Sequence, residues 1–133
     1  MCRIHQLRVS LPKCQFAMEH VTYLGFDLMW KNGRGCWSPV ESKLAAMKKM
    51  VVKDIKTLRA FLGACNFYRR HLRGFAETAS ILTDLLRKDV PWKWEDQHEA
   101  AYLQLKDLVS SPTTLGVPQP HGTMLLVTDA SVV

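Results

Sequence analysis

The sequence predicts an α+β chain, mainly α-helical, and three observations lead to that class. Apolar residues recur at spacings of three and four over residues 54–73, and again over 75–87 and 96–109, the period of a helix with one buried face. Residues 21–30, VTYLGFDLMW, are rich in β-branched and aromatic side chains, the composition of a strand. Asn32-Gly33 follows them, the usual signal for a tight hairpin.

The elements follow in order. Residues 21–30 read as one strand, Lys31 to Gly35 as a turn, and Cys36-Trp37 as a short return strand. Ser38, Pro39 and Glu41 read as a helix start, with Ser38 as cap, Pro39 at the first helical position and Glu41 closing a capping box. That helix is expected to run to about Met50. Asp54 is the expected N-cap of the central helix and Gly74 its stop. The next helix, 75–87, presents Ala79, Leu82, Leu85 and Leu86 inward. Pro91 breaks the pattern, and Trp92 and Trp94 alternate as in an extended segment that staples to the core. Residues 96–109 form a further helix with His98, Ala101, Tyr102, Leu105 and Leu108 on one side, stopped by Ser111-Pro112. Pro118 and Pro120 mark a connector, and TMLLVT, 123–128, reads as a C-terminal edge strand ahead of Asp129.

The central helix, DIKTLRAFLGACNFYRRHLR, carries two chemically different faces. Ile55, Leu58, Phe61, Leu62, Cys65, Tyr68 and Leu72 form the apolar one. Lys56, Arg59, Gly63, Asn66 and Arg70 fall on a second stripe, cationic with a glycine in its middle. Glycine inside a helix costs about 1 kcal/mol against alanine, and close approach of another backbone or a ligand is one reason to keep it. Basic residues around such a gap suit a phosphate-lined groove.

Charge is uneven along the 133 residues, whose net charge is +6. Nine of the eighteen Lys and Arg lie between residues 43 and 73 with one acid, Asp54, while residues 77–107 hold seven acids against four bases. A cationic face suits a polyanion, and either face suits a protein partner. No apolar run approaches the ~20 residues of a membrane span. Cys2, Cys14, Cys36 and Cys65 form no CxxC pair, so zinc is not expected and the set reads as reduced and intracellular. The first eighteen residues lack any acid, a weak similarity to an organellar transit segment that Pro12 interrupts. His71, His98 and His121 sit in no nucleophile motif, and Gly33-Arg34-Gly35 is not a phosphate loop because no Lys-Ser/Thr follows.

The order SLPKCQF, VTYLGFDL, LRAFLGACNFYRRHLRGFAETASILTDLLRK, PWKW, AAYLQLKDLVSSP and MLLVTDAS resembles the reverse transcriptase region of LTR retrotransposons and retroviruses, most like the gypsy group. The resemblance implies four parts: a palm-end, primer-grip-like hairpin over 1–37, thumb-like helices over 38–90, a connection-like segment over 91–122, and a truncated first RNase H strand over 123–133. Tyr23, Leu24, Gly25 and Phe26 stand where that family has its primer grip. Arg59, Phe61 and Gly63 match its LR.FLG motif on the helix that tracks a template–primer duplex. Lys56, Asn66 and Arg70 join them by helical geometry. Asp129 matches the first RNase H metal carboxylate.

Two-metal phosphoryl transfer needs several converging carboxylates. In this family's polymerases they come from an upstream Asp and a Tyr-x-Asp-Asp turn, and neither occurs in this sequence. Only four residues follow Asp129, an orphaned ligand on this reading. The expectation is therefore a chain with no catalytic activity of its own and no magnesium, although the family uses it. A domesticated retroelement remnant serving as a structural subunit of a larger assembly, one that could contain RNA, fits this expectation. The alternative is the template–primer-binding thumb and connection of an active reverse transcriptase/RNase H polyprotein.

Overall fold

The computed structural model describes residues 10–117, which form an antiparallel sheet beside a bundle of four α-helices. Four strands, β1 (His20–Tyr23), β2 (Phe26–Lys31), β3 (Arg34–Pro39) and β4 (Leu115–Gly116), lie in the order β1-β2-β3-β4. The helices are α1 (Glu41–Lys49), α2 (Ile55–Phe67), α3 (Phe75–Asp84) and α4 (Asp96–Ser110).

The expected single strand over 21–30 is in fact two. Tyr23 pairs with Phe26 across a two-residue turn, with Leu24 at φ 50° and Gly25 at φ 86°. Positive φ at both central residues matches the twist of a tight hairpin, so the chain reverses in the middle of an apolar run. Lys31 pairs with Arg34 around Asn32-Gly33, at φ 51° and 73°, as the Asn-Gly signal predicts. β3 is longer than expected and takes up Ser38 and Pro39, so these do not start a helix: Ser38 pairs with Asp27, and Val40 is the N-cap of α1. β4 extends the sheet where a connector was expected. The expected strand at 123–128, and Asp129, lie outside the described residues.

Cross-strand partners share a face of a sheet, so the register sorts the strands cleanly. Val21, Tyr23, Phe26, Leu28, Trp30, Trp37 and Leu115 fall on one face with Gly35 and Pro39. The other face carries His20, Thr22, Asp27, Met29, Lys31, Arg34, Cys36 and Ser38. There Asp27 accepts a 2.6 Å hydrogen bond from Thr22 and lies 3.4 Å from His20.

The core belongs to the helices. Leu44 and Met47 of α1, Leu58, Phe61, Leu62 and Cys65 of α2, Ala79 and Leu82 of α3, and Ala101, Tyr102, Leu105 and Val109 of α4 are buried together. The Phe61 ring meets Tyr102 edge-on at 5.1 Å, and the Tyr102 hydroxyl donates to the Met50 carbonyl at 2.6 Å. Trp92 and Trp94 pack against this core, and the Trp94 indole N–H donates to Glu99 at 2.7 Å. Glu95 is the N-cap of α4, and its N–H donates to His98 Nδ1 at 3.0 Å. Lys93, 2.7 Å from Glu95, holds that carboxyl below the usual range.

Candidate nucleic-acid interface

Asp54 starts α2 as its sequence position predicts. Its carboxylate accepts the Thr57 N–H at 2.7 Å, and the Thr57 hydroxyl oxygen accepts the Asp54 N–H at 3.0 Å. This reciprocal pair satisfies donors at the helix start that otherwise lack partners. The hydrogen bond from the Thr57 backbone is the main cause that holds the Asp54 carboxyl below its ordinary range.

The helix so started is shorter than expected. It ends at Phe67, and a 3-10 turn, Arg69–His71, follows. Gly74 does not stop α2; at φ 77° it is the N-cap of α3. Arg70 therefore leaves the α-helical stripe for the turn beyond it. α3 likewise ends at Asp84, short of the expected Arg87.

Lys56, Arg59, Gly63 and Asn66 lie on the outer side of α2, exposed, and Arg70 is exposed beyond them. None of the three cations lies within 4 Å of a carboxylate among the described residues, where the ion pairs join other groups. A Cβ built on Gly63 meets nothing within 4 Å, so no packing inside the described residues requires this glycine. Phe61 is a correction: it is 0% exposed and part of the core, so it cannot touch a ligand. Helical position explains this, because Phe61 stands one turn after Leu58 on the inner face.

The primer-grip-like residues and α2 meet. The Tyr68 hydroxyl donates to the Gly25 carbonyl at 3.3 Å. A Cβ on Gly25 would lie 3.1 Å from that hydroxyl and 3.5 Å from the Phe67 ring, so the turn needs glycine for conformation and for space. Phe26 stacks on Phe67 at 5.4 Å and meets Trp37 edge-on at 4.9 Å. His71 closes this junction. Its Nδ1–H donates to the Thr113 carbonyl at 2.8 Å, and the Thr113 N–H donates back to the His71 carbonyl at 2.8 Å. Tyr23 and Leu24 stand out into solvent, 62% and 71% exposed.

Phe67 is the residue that sequence reasoning missed. It is 58% exposed, four residues after Gly63 and therefore over the same side of α2. A helical wheel would have found it; the reading from the sequence assigned it to neither the apolar face nor the cationic stripe.

Among the described residues no group of three or more His, Cys, Asp or Glu side chains is placed to hold a metal ion. The described donor set does not fit a two-metal centre. Cys65 is buried in the core, which pushes its thiol up to about 12 and suits a packing residue rather than a nucleophile.

No family model matches the chain. Curated relatives do. The chain is 33% identical over 131 residues to the retrovirus-related Pol polyprotein from transposon 412 of Drosophila melanogaster, an alignment covering 98% of this chain and 10% of the polyprotein. It is 36% identical over 111 residues to the Gag-Pol polyprotein of Koala retrovirus, covering 84% of this chain and 6% of that one. It is 31% identical over 125 residues to the Transposon Tf2-3 polyprotein of Schizosaccharomyces pombe, covering 94% of this chain and 9% of that one. The chain thus spans a tenth or less of the length of these relatives. It is a homologue of part of the Pol polyproteins of retroviruses and LTR retrotransposons, consistent with a reverse transcriptase-like region of them.

Proposed function

We propose that the chain is a non-catalytic, nucleic-acid-contacting segment of reverse transcriptase descent, with α2 laid against a duplex as the thumb helix of a gypsy-type enzyme is. One observation carries this reading: an exposed helical stripe of Lys56, Arg59 and Asn66, whose cations have no carboxylate within 4 Å among the described residues, continued by Arg70 and centred on a glycine around which a Cβ meets nothing within 4 Å. Cations release counterions from phosphates, and the missing side chain at Gly63 lets a backbone approach. Tyr23, Leu24, Gly25 and Phe26, docked on the end of α2, form the neighbouring part of the same surface, and α4 serves as the connection helix.

The test is duplex binding by the wild type and by Arg59→Glu/Arg70→Glu across a salt series. The wild type binds with little sequence preference and weakens as salt rises; the double variant keeps its helical content and does not bind at low salt. Equal binding by the two would reject the reading.

A second reading is favoured by the exposed aromatic residues of the apolar sheet face, Tyr23 at 62% and Trp30 at 66%. Large uncovered apolar surface marks a partner. On this reading the segment is a domesticated structural subunit held in a larger, RNA-containing assembly. Recovery of the native protein only as a free monomer would reject it.

A further inference from the structure

A cleft opens between the first hairpin turn and the end of α2, lined by Tyr23, Leu24, Phe26, Leu28, Trp37 and Phe67, with a volume of 440 Å³. Its lining side chains are apolar and aromatic. The backbone carbonyl beside it, that of Gly25, already accepts from Tyr68. The outer wall, Phe67, is braced from behind by its stack on Phe26 and hemmed by Gly25. Phe67 stands one helical turn beyond Gly63, and Arg70 follows three residues later, so the cleft sits at the end of the cationic stripe. The facing lip is Leu24, a leucine held at φ 50° with 71% of its surface exposed. Left-handed backbone disfavours a side chain with a Cβ, and a turn of this type ordinarily takes Asn, Asp or Gly there. A strained, exposed leucine is a local sacrifice that contact with a ligand would explain.

We infer that this cleft takes one unstacked nucleobase of the nucleic acid whose phosphates lie along Lys56, Arg59 and Arg70, with Phe67 as the stacking platform. The inference rests on the nucleic-acid reading above and narrows it from any duplex to a duplex that offers a free base, at an overhang or a frayed end. The flanking cations select a polyanion over an apolar peptide. The lining offers almost nothing to hydrogen-bond a base edge, so recognition is by π-face and tolerates any base.

The full chain is titrated with three ligands of equal duplex length: a closed dumbbell, a blunt duplex, and a duplex with a single-stranded overhang carrying 2-aminopurine. The overhang binds about tenfold tighter than the dumbbell, the size expected for one stacked base, and 2-aminopurine fluorescence is quenched on binding. Phe67→Ala removes the preference and the quench but binds the dumbbell like the wild type, which also shows that it is folded. Phe67→Tyr keeps both, and Leu24→Asn, which suits the turn, weakens the preference without unfolding the hairpin. Equal wild-type affinity for dumbbell and overhang would overturn the cleft and leave the duplex reading standing. A preference that survives Phe67→Ala would do the same. Failure to bind any of the three ligands would overturn both.

Discussion

Apart from Pro39, every buried apolar side chain among the described residues lies between Leu44 and Val109, in the helices and the turns between them, while the apolar face of the sheet is only partly covered, with Tyr23 and Trp30 exposed. The bundle closes on itself: α1, α2, α3 and α4 each contribute to one core. The sheet is bound to it at one corner, where Phe26 and Trp37 meet Phe67, Tyr68 and His71. A segment spanning a tenth or less of its relatives thus carries a helical core beside a sheet whose Tyr23 and Trp30 are exposed. The difference also separates two kinds of surface, an apolar one on the sheet and a cationic one on α2, and they meet at Phe67.

The largest expected effect sharpens this contrast. Leu58→Ala or Leu82→Ala, at fully buried positions, lowers unfolding free energy by about 2–5 kcal/mol. Leu28→Ala, on the partly covered sheet face, lowers it by roughly 1 kcal/mol or less. Urea titration followed by far-UV circular dichroism measures both, and equal losses would contradict a core confined to the helices. Next in size, Gly25→Ala sets the corner under strain: φ 86° disfavours the new Cβ, which crowds the Tyr68 hydroxyl. A loss of about 1–2 kcal/mol is expected, together with weaker coupling of sheet to bundle in hydrogen exchange at residues 20–31.

Gly63→Ala has the opposite sign for stability. With open space around the new methyl, helix propensity raises stability by about 1 kcal/mol, read as a gain of a few degrees in Tm. If α2 lies close against a duplex, the same methyl lowers affinity. A variant both more stable and equally tight in binding would remove the glycine from the interface.

The smallest effects come from titration. The folded Asp54 carboxyl lies below its ordinary value of 3.8. Its contribution is therefore complete above that value and is lost as pH falls through the lower folded pKa. Cys65 acts at the other end. Its folded value of about 12 exceeds the ordinary 9.0, so its contribution is complete below pH 9 and declines as pH climbs from 9 towards 12. Unfolding midpoints against pH should shoulder at both ends, and Cys65→Ala should flatten only the alkaline one.

Legibility followed local chemistry. Asn32-Gly33 announced its turn because both residue types tolerate positive φ. Leu24-Gly25 makes the same kind of turn and was read through, because leucine does not announce it and the flanking residues are uniformly apolar. The Asp54 cap was legible, since its partner Thr57 lies three residues away. Ser38-Pro39 carried a plausible helix start that strand pairing overrode: Ser38 and Pro39 complete the ladder with Asp27 and Phe26. The cationic stripe was legible from spacing, but Phe61 was counted among the nucleic-acid-binding residues by motif although its own periodicity put it inside. The docking of the first turn on Tyr68 depends on a contact between residues 43 apart, Tyr68 and Gly25, which no local pattern encodes.

The most direct test of the central claim is the slope of log affinity against log salt for one duplex. Lys56→Ala, Arg59→Ala and Arg70→Ala should each reduce its magnitude by about 0.9, the value for one phosphate contact, while Lys88→Ala, beyond the end of α3, should leave it unchanged. A slope that none of the three stripe variants alters, or that Lys88→Ala alters equally, would contradict a duplex lying along α2.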